Sequence, residues 1–386
     1  MCFSELDAAI SAAGLPTRVR FCAAESAAQI LQAAVPYGKV VLISEEGSDF
    51  ALVSRLCESL REFRPVSVVL GKADGFAGLF SLADDIRAAV GVGARGALAA
   101  RFFVTLRGGY SCAVPLSPCA GGIFEAEAPA DTGWAGYPLK SADFVVADGE
   151  RMRGRAAEVL AECSLAALCA EDIEIDAVFS RDRKTFDFRT PAEIALAAEL
   201  TADGAKQLFC ASALFQIALR GAPAFACTEA ARALQKKTFR SLSACSLALF
   251  CYFTERYAEL FRAGDPRDYY VPAYAERVKC CAAWAGCGEK QLFKNVRVPT
   301  AAESFRRAAV FAECRNKLQT SAQLLQSYAE KLRAKYYAAG GERPNFGKNI
   351  LQEAYEHAAE LTPLLCPPVL EREFGLLRCD ECALPV

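Results

Sequence analysis

Histidine is almost absent: His357 is the single one among 386 residues. One imidazole cannot supply a site that needs two, and a thiol such as Cys119 has no neighbouring histidine to activate it as a nucleophile. Positive charge is not in excess either. Lys and Arg number 44 against 46 Asp and Glu, a formal net charge of -2, and the two signs are mixed along the chain. No basic stripe exists, which argues against a nucleic-acid partner. Long apolar runs are missing too. The longest uncharged one, near Ser241 to Phe253, is too short to span a bilayer and reads as a buried helix. The opening residues MCFSELDAAISAAGL carry acids and no positive stretch ahead of an apolar core, so no signal peptide is expected. These absences together predict a cytoplasmic protein with no membrane partner.

What is abundant is cysteine, 18 residues scattered from Cys2 to Cys382. In a chain of this size with no export signal they read as small apolar side chains and free thiols, not as a disulfide framework. Cys379 and Cys382 form a CxxC, and Cys280, Cys281 and Cys287 form a second cluster. A structural zinc needs four ligands at workable spacing, and no second CxxC exists to complete either group.

The length suits two domains at about 150 residues each. Over residues 1–150, short apolar runs alternate with amphipathic stretches. The strand candidates are Val19 to Cys22, Lys39 to Ser44, Val66 to Leu70, Arg87 to Val92, Ser111 to Val114 and Phe144 to Ala147. Helix candidates between them are Ser26 to Ala34 and Asp49 to Phe63. Apolar strands alternating with helices predict a parallel sheet covered on both faces. From 151 to 386 the apolar spacing becomes three and four, which predicts an all-helical domain. Its helix candidates are Gly154 to Ala170, Pro191 to Glu199, Asp203 to Leu219, Thr228 to Lys236, Leu242 to Ala263, Ala301 to Tyr337 and Lys348 to Leu361. Pro191 and Pro299 stand near helix starts, and Gly340-Gly341 with Pro344 marks a break.

The most informative stretch is Ile86 to Phe124. A strand runs into a turn carrying Gly91, Gly93 and Gly96, an alanine-rich helix follows to about Arg107, and a second strand ends in a loop with Ser117, Cys119, Gly121 and Gly122. Strand, glycine turn, helix, strand is a βαβ unit, and glycines there let a backbone come close to something, often a phosphate at a helix N-terminus. Glu45 and Glu46 follow the strand Lys39 to Ser44, where an acid can take ribose hydroxyls and favour NAD over its 2′-phosphorylated form. Plain tight turns use glycine as well, and Ala94-Arg95 interrupts the run.

In order and spacing these motifs resemble glycerol-1-phosphate dehydrogenases, within the superfamily of iron-type alcohol dehydrogenases and dehydroquinate synthases. GVGARG (91–96) resembles that family's pyrophosphate turn, AVPLSPCAGGIF (113–124) its cofactor and substrate loop, ADFVVAD (142–148) the strand leading into the helical domain, and PAFACTEAARAL (223–234) the stretch opening a metal-bearing helix. The likeness covers roughly residues 15–260. It implies a Rossmann-like nucleotide-binding domain followed by a helical one, NAD or NADP at Glu45, Gly91, Gly93, Gly96, Ser117, Cys119 and Gly122, a nucleotide or phosphorylated small molecule as ligand, and a homo-oligomer.

The departures from that pattern are as marked. The family holds a divalent metal with one aspartate and two histidines. The aspartate falls near Leu165 or Ala166, the first histidine on Ala230 after Glu229, and the second near Phe239 to Ser241. Gly121 replaces the aspartate of the loop, and Leu98 or Ala99 the one that closes the glycine turn. The reading is then a diverged member with its metal site lost and little or no redox activity. Glu162, Glu229 and cysteines could still hold a metal differently. Arg232, one turn after Glu229, is the candidate cation for the vacated place, although a solvated or ion-paired helix residue is the ordinary reading of an arginine there. His357, in YEHAAEL, reads as a surface or half-buried helix residue. Two alternatives stay open: an active NAD(P)-dependent oxidoreductase that works without the metal, and a non-catalytic interaction module.

Overall fold

Six short strands, all parallel, carry the first part of the chain in a computed structural model that describes residues 2–35, 38–71, 75–128, 136–180, 186–263, 274–292 and 300–373. They are β1 (Arg18–Arg20), β2 (Lys39–Glu45), β3 (Val66–Leu70), β4 (Ile86–Val92), β5 (Tyr110–Val114) and β6 (Phe144–Val146). The order across the sheet is β1-β6-β5-β4-β2-β3. Each lies within two residues of its expected place; β2, β4 and β5 are apolar runs buried on both faces, while β1 and β3 at the two edges alternate between buried and exposed. Val40 and Leu42 pack into one core with Leu31, Leu52, Leu56 and Val90. Val41 and Ile43, on the opposite face, pack with Phe76, Ala89, Leu98 and Phe102.

The helices are α1 (Cys2–Ala12), α2 (Ala27–Ala34), α3 (Phe50–Ser59), α4 (Gly93–Arg107), α5 (Gly149–Met152), α6 (Ala156–Phe179), α7 (Arg189–Ala197), α8 (Ala202–Leu219), α9 (Ala226–Thr238), α10 (Leu242–Ala263), α11 (Tyr274–Ala285), α12 (Glu289–Leu292), α13 (Ala301–Ala338), α14 (Lys348–Ala358) and α15 (Pro367–Glu373). Side-chain caps fix several starts. Asp49 accepts from the amides of Ala51 and Leu52 ahead of α3, and Thr300 with Glu303 forms a capping box on α13. α6 runs nine residues past its expected end. Glu171 and Asp172, just past that end, are both buried. α1, α5, α11, α12 and α15 were not anticipated. α15 opens on Pro367-Pro368, which reads as a break but fits a first turn, where a missing N–H does no harm. Pro299, Cys379 and Cys382 lie outside the described residues.

The chain divides into two compact units, residues 1–159 with 193–221, and residues 160–192 with 222–386. The segment 193–221 joins the first because Phe209, Cys210 and Ala213 of α8 bury against Val19, Val145 and Ala147. The second unit is helical. Its α15 is tied down by Arg256 on Glu371 at 2.7 Å, Arg372 on Glu360, and Arg307 on Glu373. No helix among the described residues is long and apolar enough to cross a membrane.

Candidate functional site

β2 and β4 are neighbours, but β2 continues to β3 on one side and β4 to β5 on the other. That reversal makes their carboxyl ends a topological switch point, where open α/β sheets hold ligands. Glu45 ends β2, and Gly93 opens α4 immediately after β4. The two meet: a Cβ placed on Gly93 would lie 2.5 Å from Glu45 Oε1. Gly93 also has φ of +78°, a conformation that costs glycine nothing. α4 has no side-chain N-cap, its preceding residue being Val92, so its first-turn amides depend on backbone, solvent or a ligand for partners.

The other glycines of the turn have a packing role. A Cβ on Gly91 would overlap the carbonyl of Gly96, and one on Gly96 would stand 2.6 Å from the carbonyl oxygen of Ile43. Both let α4 lie close on β2 and β4. Of the two residues that interrupt the run, Ala94 is exposed, and Arg95 turns its guanidinium over the Phe76 ring, 5.6 Å from the centroid.

The loop after β5 folds onto this turn. Gly122, with φ of +78°, packs so that a Cβ would come 2.6 Å from the carbonyl oxygen of Ala94. Ser117 is buried, and its Oγ accepts from the amide of Cys119 at 3.3 Å. Cys119 itself is half-buried. The Ala120 amide donates to Ser212 Oγ at 2.8 Å. Glu45, Gly93, the α4 turn and Gly122 are therefore brought together, while Ser117 and Cys119 bond to each other within the loop.

Two arginines beneath the loop escaped the sequence reading. Arg101 of α4 is fully buried and donates from Nε to Lys140 O at 2.9 Å, from Nη1 to Gly122 O at 2.6 Å, and from Nη2 to Glu125 O. Arg220 donates to Phe124 O at 2.9 Å. Desolvation brings the Arg101 guanidinium down to about 10, with Glu125 opposing the fall and Arg220 adding to it. It is charged at neutral pH. The available signal was a lone base inside GALAARFFV, a helix with nine other buried residues.

In the second unit, Leu165 and Ala166 of α6 and Ala230 of α9 are buried and apolar. Close by, Cys169 Sγ lies 3.8 Å from Cys227 Sγ, and burial pushes both thiols up. Among the described residues, no group of three His, Cys, Asp or Glu side chains is arranged to hold a metal. Glu229 and Arg232 form an ion pair with each other at 2.7 Å on the surface of α9. His357 departs from expectation. It is buried at 4% exposure in α14 and stacks on Trp284 at 5.2 Å. Its place on the helix's apolar face explains this, and burial lowers its pKa from 6.5 to about 4.

No family model matches the sequence, and no curated protein does. Solved structures do match the fold. The iron-containing alcohol dehydrogenase of Thermotoga maritima is similar over 93% of this chain and 97% of its own, at 12% identity and a TM-score of 0.54. Maleylacetate reductase from Agrobacterium tumefaciens is similar over 94% and 95%, at 13% identity and 0.53. NADH-dependent butanol dehydrogenase A from Thermotoga maritima is similar over 94% and 96%, at 11% identity and 0.50. The chain has the fold of the iron-type alcohol dehydrogenases, and identities this low carry the fold alone.

Proposed function

We propose that this chain is a diverged glycerol-1-phosphate dehydrogenase-like protein that binds a dinucleotide or related phosphorylated ligand but has lost the metal site and, with it, most or all redox activity. The observation that carries the nucleotide part is the meeting of Glu45, Gly93 and the uncapped start of α4 at the switch point of the sheet. Phosphate oxygens suit the first-turn amides of a helix N-terminus, and a carboxylate beside them suits ribose hydroxyls, which favours NAD over NADP. Buried Leu165, Ala166 and Ala230 support the metal part. A divalent ion needs carboxylate, imidazole or thiolate donors, and these side chains offer none.

In this reading Glu45 orients the ribose, the 91–96 turn and the Gly121-Gly122 loop hold phosphate, and Glu229 with Arg232 remains a surface ion pair. The test is a thermal-shift screen with NAD, NADP, zinc and phosphorylated three-carbon compounds, followed by metal analysis. Stabilisation by NAD without bound metal is expected. Stoichiometric zinc or iron together with metal-dependent turnover of a polyol phosphate would overturn the metal part, and no stabilisation by either dinucleotide would overturn the nucleotide part.

A further inference from the structure

Burying a guanidinium is costly unless its donors are met, and an apolar side chain of similar volume is often the more stable choice. Arg101 is nonetheless placed with no solvent exposure among the apolar residues Ala97 to Ala100 and Phe102 to Val104 of α4. The Glu125 charge acts on it, and its hydrogen bonds to Lys140 O, Gly122 O and Glu125 O go to backbone carbonyls. Two belong to the loop following β5 and one to the segment entering β6, so one planar fork closes the connection between adjacent strands across its base. Arg220 takes the carbonyl of Phe124, between the two loop carbonyls that Arg101 holds. Ser212 takes the amide of Ala120. The loop is thus pinned at 120, 122, 124 and 125 from behind, while Gly122 rests on the first turn of α4.

We propose that Arg101, assisted by Arg220, is a positioning residue: it holds the 117–125 loop against the α4 turn in the shape that receives the phosphates of the ligand. The inference rests on the nucleotide reading of that turn. A lysine offers a single charged nitrogen and cannot span three carbonyls of fixed direction, so it separates the fork from the charge. An order-disorder change in the loop follows when the fork is lost, and phosphate contacts that depend on the loop's shape weaken with it.

The test uses the full chain as wild type, Arg101→Lys and Arg220→Met, the second variant guarding against misfolding of the first. Amide hydrogen exchange over residues 117–125 is measured in the free protein, with β2 and β4 as internal reference, alongside NADH fluorescence titration. The expected result is at least tenfold faster loop exchange in each variant, unchanged protection of β2 and β4, and NADH affinity lowered about tenfold. Loop exchange equal to wild type in both variants overturns the clamp whatever the nucleotide does. Fast loop exchange with undiminished NADH affinity overturns the positioning role. If wild type itself fails to bind NADH, the functional reading falls together with the ligand role given to the loop, and exchange alone then decides whether Arg101 orders it.

Discussion

Replacing Asp172 by asparagine should make the protein more stable at neutral pH, and the geometry gives the size. Asp172 lies in α6 with no solvent exposure. Tyr257 donates its hydroxyl to Oδ1 at 2.6 Å, and Oδ2 has no partner among the described residues. Burial pushes the carboxyl from 3.8 up to about 8, the Tyr257 bond opposing the rise and Glu171 and Asp176 adding to it. Between about pH 4 and pH 8 the folded chain therefore keeps a proton that the unfolded chain has released. Stability falls as pH rises through that window and levels off above it. At about 1.4 kcal/mol per pH unit, roughly 4 kcal/mol is lost by pH 7.

Asparagine keeps an acceptor for Tyr257 and never ionises, but it adds an unpaired buried amide, which costs about 1–3 kcal/mol. Asp172→Asn should then gain about 2 kcal/mol near pH 7.5 and be no more stable than wild type near pH 5. Urea denaturation of both proteins from pH 5 to 8.5 reads the difference directly, because contributions from other titrating groups cancel between them. If the variant is destabilised by the same margin at both ends of the range, Asp172 carries no such proton and the burial argument is wrong.

The sole histidine acts with the opposite sign. Its folded pKa of about 4 lies below the unfolded 6.5, so the stability it contributes is complete above pH 6.5 and lost as pH falls, about 2 kcal/mol by pH 5. His357→Phe, which keeps a ring on Trp284, should remove that loss in urea titrations at pH 5 and 7. Gly96→Ala should lower stability by about 3 kcal/mol, because the new methyl meets the Ile43 carbonyl and rigid backbone must shift. Gly78→Ala, which meets nothing, is the control in the same denaturation series. Glu45→Gln should weaken NADH about tenfold in fluorescence titration, the scale of one charge-assisted hydrogen bond, and leave NADPH unchanged. Equal loss of both would remove Glu45 from the ribose role.

Much of the fold is legible because its signals are local. A run such as KVVLISE or IRAAVGV is apolar on both faces, and only a sheet covered on both sides buries it. Helix ends were legible where a break announces them, as at Gly340. They were illegible where burial reverses the ordinary meaning of a residue. Glu171 and Asp172 continue α6 because Ser321 and Tyr257 meet them inside the fold, and neither partner is near them in the sequence. His357 was misplaced for the same reason, since Trp284 covers it from another helix.

The glycine turn was legible as a turn, and the division of labour among its residues was not. Gly91, Gly93 and Gly96 read as one phosphate turn. In the fold Gly91 and Gly96 are required by helix-to-strand contact whether or not a ligand is present, and Gly93 alone stands beside Glu45 at the switch point. Packing alone therefore accounts for Gly91 and Gly96, so the glycine run by itself says little about activity. The discriminating residues are those the fold does not need. A buried cation that braces a loop, or a carboxylate left at a strand end, serves a purpose that an apolar residue would not. Arg101 and Glu45 are such residues, whereas Leu165, Ala166 and Ala230 are buried and apolar. On the proposed reading the two regions differ: the turn beside Glu45 adjoins a loop braced by Arg101, while Leu165, Ala166 and Ala230 are packed as core.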